Sequence, residues 1–161
     1  MEIYFTNFDS PLGNIEIIAS KHALQTLHFI EIKNVPSLHL PEIVLNCIQQ
    51  LEEYFEGKRK IFSVNTEQKG TDFQKLVWKK LADIPYGKTV FYLEIAKKAG
   101  DEKSVRAVGN ASGKNKIPII IPCHRVIGTN DSLVGYSGGL WRKQWLLDHE
   151  KKYTYGIQKL F

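Results

Sequence analysis

A thiol and two basic side chains follow one another in the second half of this chain, as Cys123, His124 and Arg125. Cationic neighbours favour a thiolate over a thiol and lower the pKa of a cysteine, and the thiolate is the nucleophilic form. The three residue types in succession therefore predict a nucleophilic cysteine. A buried, unreactive cysteine between two strands is the alternative, because most free cysteines pack as small hydrophobic side chains.

A nucleophilic cysteine needs a base, and His124 can serve only if the backbone brings its imidazole to the sulfur. Neighbouring side chains on a strand point to opposite faces, so we expect either a turn at residues 122–124 or a water molecule between the two groups. Pro122 has no amide hydrogen and suits such a turn. His124 needs a partner that fixes its tautomer, and Glu150, on the apolar side of the last predicted helix, is the best candidate. A solvated Glu150 in a fraying last turn is the alternative.

The elements that must hold these residues begin with a strand-rich segment. Alternating apolar residues predict strands at 3–5, 15–19 and 24–29, and helical spacing predicts a helix over 44–55. Cys47 lies on the apolar stripe of that helix. We therefore interpret this second cysteine as part of a hydrophobic core.

A polar stretch over residues 65–70 separates the strand-rich segment from the rest of the chain. We place a domain boundary there, which gives domains at 1–67 and 68–161. Thr71 and Gln74 have the spacing of a capping box, in which two side chains satisfy free backbone donors at the start of a helix. The second domain is therefore predicted to begin with a helix at Thr71.

Two short helices are predicted next, over 92–99 and from about 102 to 111, with a break at Gly100. A pair of this kind is the helix-turn-helix pattern, which is a weak signal by itself. The second helix is rich in small residues, so its surface can approach another backbone closely, either DNA or a helix of the protein. An outward-facing Arg106 would favour DNA.

Composition narrows the class of protein further. The chain has 161 residues and a net charge of +5, which permits a polyanionic partner but also fits a solvated, lysine-rich face. No apolar run approaches the roughly 20 residues of a membrane span, and the N-terminus has no signal-peptide pattern. We therefore expect no membrane association and a cytoplasmic location, or a nuclear one in a eukaryote. The histidines and Cys47 lack metal-ligand spacing, so no metal is predicted.

Several blocks of this sequence resemble the O6-alkylguanine-DNA alkyltransferases, in order and at matching spacing over roughly residues 70–151. The active-site block is Pro122-Cys123-His124-Arg125-Val126. The others are Phe73-Gln74, Val77-Trp78, Ile84-Pro85-Tyr86-Gly87, Arg106-Ala107-Val108-Gly109, Asn115, Tyr136-Ser137-Gly138-Gly139-Leu140 and Leu146-Leu147-Asp148-His149-Glu150. A weaker match lies at Ser10-Pro11-Leu12-Gly13.

The resemblance implies an α/β (α+β) fold. A small N-terminal ribonuclease-H-like α/β domain would precede a C-terminal helical, winged helix-turn-helix-like domain that binds DNA and holds the active site. It also implies direct-reversal repair of double-stranded DNA containing O6-alkylguanine. The alkyl group would pass irreversibly to Cys123, once per molecule, after minor-groove binding and base flipping. No cofactor is expected, and the protein would act as a monomer.

The same resemblance assigns roles to individual residues. Catalysis would involve Cys123, His124, Glu150, Tyr92 and Asn115, with Tyr92 near the flipped guanine and Asn115 tying the recognition helix to the cysteine turn. Arg106 would fill the space that the extruded nucleotide leaves. The remaining DNA- or substrate-binding residues would be Ala107, Gly109, Tyr92, Arg125, Ser137, Gly138 and Lys143.

Three other functions compete with this one. A protein that binds alkylated bases without transfer would be expected to lack the cysteine. A Cys–His hydrolase would need an oxyanion hole and a route for turnover, and its cysteine and histidine are usually far apart in sequence. A simple helix-turn-helix regulator would leave Cys123, Asn115 and Glu150 without a role.

Overall fold

The protein forms two units, Met1–Gln68 and Lys69–Phe161. They are seen in a computed structural model that describes residues 1–129, 135–136 and 138–155. The first unit combines a sheet with a helix, and the second is mainly helical. The predicted order of a small α/β unit followed by a helical unit is confirmed.

The first unit is an antiparallel sheet of consecutive strands with one helix on it. Strands β1 (Tyr4–Ser10), β2 (Gly13–Ala19) and β3 (Leu24–Ile30) lie in that order and pair with their sequence neighbours. Helix α1 spans Glu42–Phe55. Because strand side chains alternate between faces, one face of the sheet is apolar and provides the core of the unit.

Cys47 has the packing role predicted for it. Its side chain is fully buried on α1, as are those of Val44 and Leu51. Burial raises the pKa of the Cys47 thiol to about 12. At neutral pH this cysteine is therefore a protonated, unreactive part of the core.

The second unit begins with α2 (Asp72–Ala82), and the predicted capping box at its start is present. The backbone N–H of Gln74 donates to Thr71 Oγ1 at 3.1 Å, and the N–H of Thr71 donates to Gln74 Oε1 at 3.0 Å. Trp78 Nε1 donates to the Ala111 carbonyl oxygen at 2.8 Å. That bond fixes α2 against the helix that carries Ala111.

The predicted helix pair is also present. Helix α3 spans Tyr92–Lys98, and α4 spans Val105–Gly113 after a single 3-10 turn at Glu102–Ser104. Two-residue strands β4 (Val90–Phe91) and β5 (Val126–Ile127) pair in parallel.

The last helix, α5 (Leu140–Tyr155), completes the second unit. None of the helices in the described ranges is long and apolar enough to cross a membrane.

Candidate active site

Cys123 is placed by a short segment of irregular backbone between α4 and β5. Asn115 Nδ2 donates to the Ile121 carbonyl oxygen at 2.8 Å, while Asn115 Oδ1 accepts from the Ile117 N–H at 3.1 Å. The N–H of Cys123 donates to the same Ile121 oxygen at 2.8 Å. A 3-10 turn at Cys123–Arg125 follows. A turn, which is one of the two arrangements expected here, is therefore present, and Asn115 braces it.

The environment of the Cys123 thiol differs from the first expectation. Burial raises the pKa of Cys123, and a hydrogen bond from Asn115 and the charge of Lys143 only partly oppose that effect. The two basic neighbours in sequence do not supply the expected cation, because His124 and Arg125 both turn toward Glu150. Cys123 is thus a thiol at rest, and a base must remove its proton.

His124 and Glu150 form the predicted pair. His124 Nε2 lies 2.6 Å from Glu150 Oε2, and both side chains are fully buried. Burial lowers the pKa of His124, although Glu150 acts in the opposite direction. Burial alone would raise the pKa of Glu150, but His124 and Arg125 outweigh it and hold that pKa well below its usual range. At neutral pH the pair is therefore a neutral imidazole beside a carboxylate.

The second nitrogen of His124 is available for chemistry. Nδ1 is buried and has no hydrogen-bond partner within the described parts of the chain. Since Nε2 is engaged by Glu150, a proton taken up by the ring enters at Nδ1, and the carboxylate stabilises the resulting imidazolium. This is the arrangement expected of a general base.

Arg125, predicted to bind DNA or substrate, is directed into the protein. It is buried, its Nε donates to Glu150 Oε1 at 2.8 Å, and its Nη2 donates to Glu150 Oε2 at 3.0 Å. Its Nη1 donates to the Ile84 carbonyl oxygen at 2.7 Å. Glu150 Oε1 also accepts from the Gly87 N–H at 3.2 Å. Arg125 is therefore a structural partner of Glu150, because its donors are used inside the protein.

Lys143, also predicted to bind DNA or substrate, lies inside the protein. Its side chain is fully buried, and its Nζ lies 5.7 Å from the centre of the Tyr92 ring. Burial lowers the pKa of Lys143 to about 8, against a smaller effect of Cys123 in the other direction. The charge of Lys143 lowers the pKa of Cys123, and it also lowers the pKa of His124. It is a candidate for stabilising the thiolate.

Tyr92 connects the cysteine with helix α4. Burial, and the proximity of Cys123, raise the pKa of the Tyr92 hydroxyl. Gly109 of α4 faces the Tyr92 ring. A Cβ built on Gly109 would lie 4.0 Å from that ring, which is an ordinary van der Waals distance. Tyr92 therefore sits between the reacting sulfur and the helix expected to meet DNA.

The exposed side of α4 carries Arg106 and Ala107, whereas Val108, Ala111 and Ser112 are buried. Arg106 faces outward, which is the orientation that favours a DNA-binding role over internal packing. The small exposed side chains beside it allow close approach to a backbone.

The loop before α5 is partly described. Gly138 is half-buried, and its carbonyl oxygen accepts from Arg142 Nη1 at 2.7 Å. Ser137 lies outside the described residues. Tyr136, to which the sequence assigned no role, has a buried hydroxyl whose pKa is raised well above the usual value by burial and by Cys123. Its place in the block that contains Ser137 was the signal that could have identified it.

No cluster of three or more histidine, cysteine, aspartate or glutamate side chains suited to a metal ion occurs among the described residues. The arrangement at Cys123 combines a buried thiol, a neutral imidazole held by a carboxylate, and a buried ammonium group. It can deprotonate a thiol and direct the thiolate at an electrophilic carbon.

Comparison with known proteins links both units to one family. Residues 72–152 match the DNA binding domain of 6-O-methylguanine DNA methyltransferase, and residues 3–68 match its ribonuclease-like domain. The chain is 44% identical over 153 residues to the methylated-DNA–protein-cysteine methyltransferase of Methanosarcina acetivorans, which covers 92% of this chain and 98% of that relative.

Solved structures agree with this match. The O6-methylguanine methyltransferase of Mycobacterium tuberculosis has a TM-score of 0.86 and 39% identity, with coverage of 99% of each chain. A structure of the M. tuberculosis OGT in complex with DNA has a TM-score of 0.85 and 41% identity, covering 92% of this chain and 93% of the other. The predicted ribonuclease-like first domain and DNA-binding second domain are both confirmed.

Proposed function

Since the chain belongs to the 6-O-methylguanine DNA methyltransferase family, we propose that it repairs O6-alkylguanine in double-stranded DNA by moving the alkyl group to its own Cys123. The observation that carries this proposal is the buried thiol of Cys123 next to His124, whose imidazole is held 2.6 Å from Glu150. That pair supplies the base that a thiol with a raised pKa requires.

The reaction is a single displacement at carbon. His124 takes the thiol proton through a bridging water, since the two residues are neighbours in sequence, and Glu150 and Arg125 stabilise the charge that appears on the ring. The Cys123 sulfur then attacks the alkyl carbon, a C–S bond forms, and the bond between that carbon and O6 of guanine breaks. The electron pair passes to the guanine ring.

The leaving guanine must gain a proton. Tyr92, which lies close to Cys123, donates its hydroxyl proton to the ring and is reprotonated from His124. The net change moves one alkyl group from oxygen to sulfur and one proton from sulfur to guanine. The charge of Lys143 stabilises the thiolate while it exists.

The product explains why the protein acts once. An S-alkyl thioether at Cys123 has no easily hydrolysed bond, in contrast with the thioester of an acyl-enzyme. Each molecule is consumed by one transfer, so the protein is both transferase and acceptor. It works as a monomer in the compartment that holds the DNA, the cytoplasm in a cell without a nucleus.

The alkyl group of a stacked base cannot reach a buried thiol, so the target nucleotide must leave the helix. The exposed Arg106 and the small residues of α4 suit close approach to the minor groove, with Arg106 occupying the space of the extruded nucleotide. A protein that binds alkylated bases without transfer is the second candidate, and the exposed face of α4 fits it equally well. The buried Cys123–His124–Glu150 group favours transfer.

One experiment separates the candidates. The protein is incubated with duplex DNA containing O6-methylguanine, and its intact mass and peptide map are measured. Transfer predicts the gain of one CH2, located on Cys123. Tight binding of the modified DNA with an unchanged Cys123 would instead support the lesion-binding protein.

Arg106→Ala is expected to slow repair in duplex DNA by roughly tenfold to a hundredfold, because extruding a base costs a few kcal/mol that Arg106 helps to offset. Reaction with free O6-benzylguanine, which needs no extrusion, should keep its rate. Single-turnover rates on the two substrates provide the comparison. Lys21→Ala, which removes one exposed charge from a turn in the first unit, is the control. Equal losses on both substrates would show that Arg106 has no role in base flipping.

Lys143→Met is expected to move the pH profile of transfer to free O6-benzylguanine upward by about one unit or more. Lysine is charged below its pKa of about 8 and lowers the pKa of Cys123, so without it the thiolate forms at higher pH. Methionine keeps most of the apolar stem. Lys151→Met, an exposed position on the same helix, is the control and should leave the profile unchanged. An unshifted profile in Lys143→Met would mean that the ammonium does not act on the thiol.

A further inference from the structure

Ile119 has a backbone conformation that its residue type rarely adopts. Its φ is +74°, and no other non-glycine residue in the described ranges has a positive φ. The N–H of Ile120 donates to the Pro118 carbonyl oxygen at 2.9 Å, which closes a three-residue turn around Ile119. A γ-turn with positive φ at its centre is the rare, strained form, and a β-branched residue makes the strain larger.

The strained turn leads directly into the hydrogen bonds that place the thiol. The N–H of Ile121 donates to the Ile117 carbonyl oxygen at 3.0 Å, across the turn. The Ile121 carbonyl oxygen then accepts from Asn115 Nδ2 and from the N–H of Cys123, each at 2.8 Å. Pro122, with φ −81° and ψ 67°, forms a second and unstrained γ-turn just before Cys123. A change at Ile119 is therefore passed on to Cys123 through two bonds at one carbonyl group.

The buried side chain of Ile119 is what holds the turn in place. Only 1% of the residue is exposed. Glycine would adopt the same φ without strain, yet the chain has a large apolar residue there. Strained backbone persists only where the surrounding structure over-determines it, and here the packed side chain supplies that constraint.

We propose that Ile119 is a positioning residue for transfer, whose buried side chain forces the strained turn and so fixes the sulfur of Cys123 relative to His124 and Lys143. The proposal rests on the transfer to Cys123 described above. The strained turn then has a function. With glycine at this position the turn would relax, and the Ile121 carbonyl oxygen, which accepts from Asn115 and Cys123, would no longer be held in one position.

The test compares truncations of two buried isoleucines. Ile119→Gly and Ile119→Ala should each lower the rate of transfer from free O6-benzylguanine by on the order of tenfold to a hundredfold in the folded protein, since small misplacements of a reacting atom have effects of that size. Ile17→Ala, in strand β2 of the first unit, removes a fully buried side chain of the same type without positive φ and outside the segment that places Cys123. It should lower the melting temperature and leave the transfer rate of the folded protein unchanged. Ile119→Val, which keeps the β-branch, should keep the rate.

A second readout separates positioning from packing. The rate of Cys123 alkylation by iodoacetamide is measured against pH, and its midpoint should move upward in Ile119→Gly and Ile119→Ala but stay in place in Ile17→Ala. Unchanged rates and profiles in the Ile119 variants, or equal losses in Ile17→Ala, would overturn the proposal. If Ile119→Gly does not fold, the comparison of Ile119→Ala with Ile17→Ala decides.

O6-benzylguanine and iodoacetamide test the proposed function and the role of Ile119 separately. If the unchanged protein takes no benzyl group from O6-benzylguanine, transfer fails as its function. The iodoacetamide profiles still show whether Ile119 positions Cys123.

Discussion

Cys123→Ala is expected to abolish transfer from O6-methylguanine in DNA without loss of folding. The sulfur is the only group in the proposed reaction that bonds to the alkyl carbon, so no residual rate should remain in its absence. The variant should still bind DNA, because the exposed face of α4 that carries Arg106 is untouched. It would then behave as a lesion-binding protein. Intact mass after incubation with excess modified duplex gives the transfer, and a binding titration on the same duplex gives the affinity.

Cys47→Ala is the matched control for that result. Cys47 is the other cysteine of the chain. It is fully buried on α1, and its pKa of about 12 keeps it protonated. Its removal should lower stability slightly and leave transfer unchanged. If Cys123→Ala still gained a methyl group, or if a folded Cys47→Ala gained none, Cys123 would not be the acceptor.

Glu150→Gln is expected to have the second-largest effect, on both stability and rate. The carboxylate accepts from Arg125 through both oxygens and pairs with His124, whereas an amide can accept through one oxygen only. The change leaves the Arg125 charge buried without its counter-charge, which costs roughly 3–5 kcal/mol of unfolding free energy. Transfer should slow by about 10² to 10⁴, the range for loss of general-base assistance. Denaturant unfolding and single-turnover kinetics measure the two effects.

Glu53→Gln provides the control for the same chemical change. Glu53 Oε1 accepts from Arg59 Nε at 2.9 Å, but both side chains are about one-third exposed. Solvent screens such a pair, so its loss should cost about 0–1 kcal/mol and leave transfer intact. Equal destabilisation by the two variants would mean that the buried position of Glu150 adds nothing.

The stability of the protein at acidic pH also depends on the buried pair of His124 and Glu150. The pKa values of Glu150 and His124 are both lower in the folded protein than in the unfolded chain. The unfolded chain therefore binds more protons, and stability falls as the pH drops below the unfolded histidine pKa of about 6.5. At the pH where unfolded glutamate titrates, about 4, the unfolding free energy of Glu150→Gln should fall less steeply with decreasing pH than that of the unchanged protein. Denaturant unfolding at a series of pH values measures both slopes.

Local sequence signals predicted the parts of this structure that depend on neighbouring residues. The capping box at Thr71 and Gln74 follows from spacing alone, and so does the turn at Cys123 once Pro122 is considered. The pairing of His124 with Glu150 was predicted because a carboxylate on an apolar helix side needs a partner. The capping box and the turn require no knowledge of how distant elements pack, whereas His124 and Glu150 are 26 positions apart and lie in different elements.

Features that depend on packing between elements were not predictable in this way. Arg125 follows the cysteine, yet its guanidinium turns inward to Glu150 and to the carbonyl of Ile84. Lys143 shares a helix side with Glu150, yet it is fully buried and its charge lowers the pKa of both Cys123 and His124. The positive φ of Ile119 could not be foreseen, because a β-branched residue is among the least expected there.

A titration with excess substrate shows whether Cys123 accepts one alkyl group per protein molecule and no more. A fixed amount of protein is mixed with increasing amounts of duplex containing O6-methylguanine, and both repaired guanine and S-methylated Cys123 are counted. The proposed function predicts that both reach a plateau at one equivalent per protein molecule and rise together. Continued repair beyond one equivalent, or repair without methylation of Cys123, would contradict it.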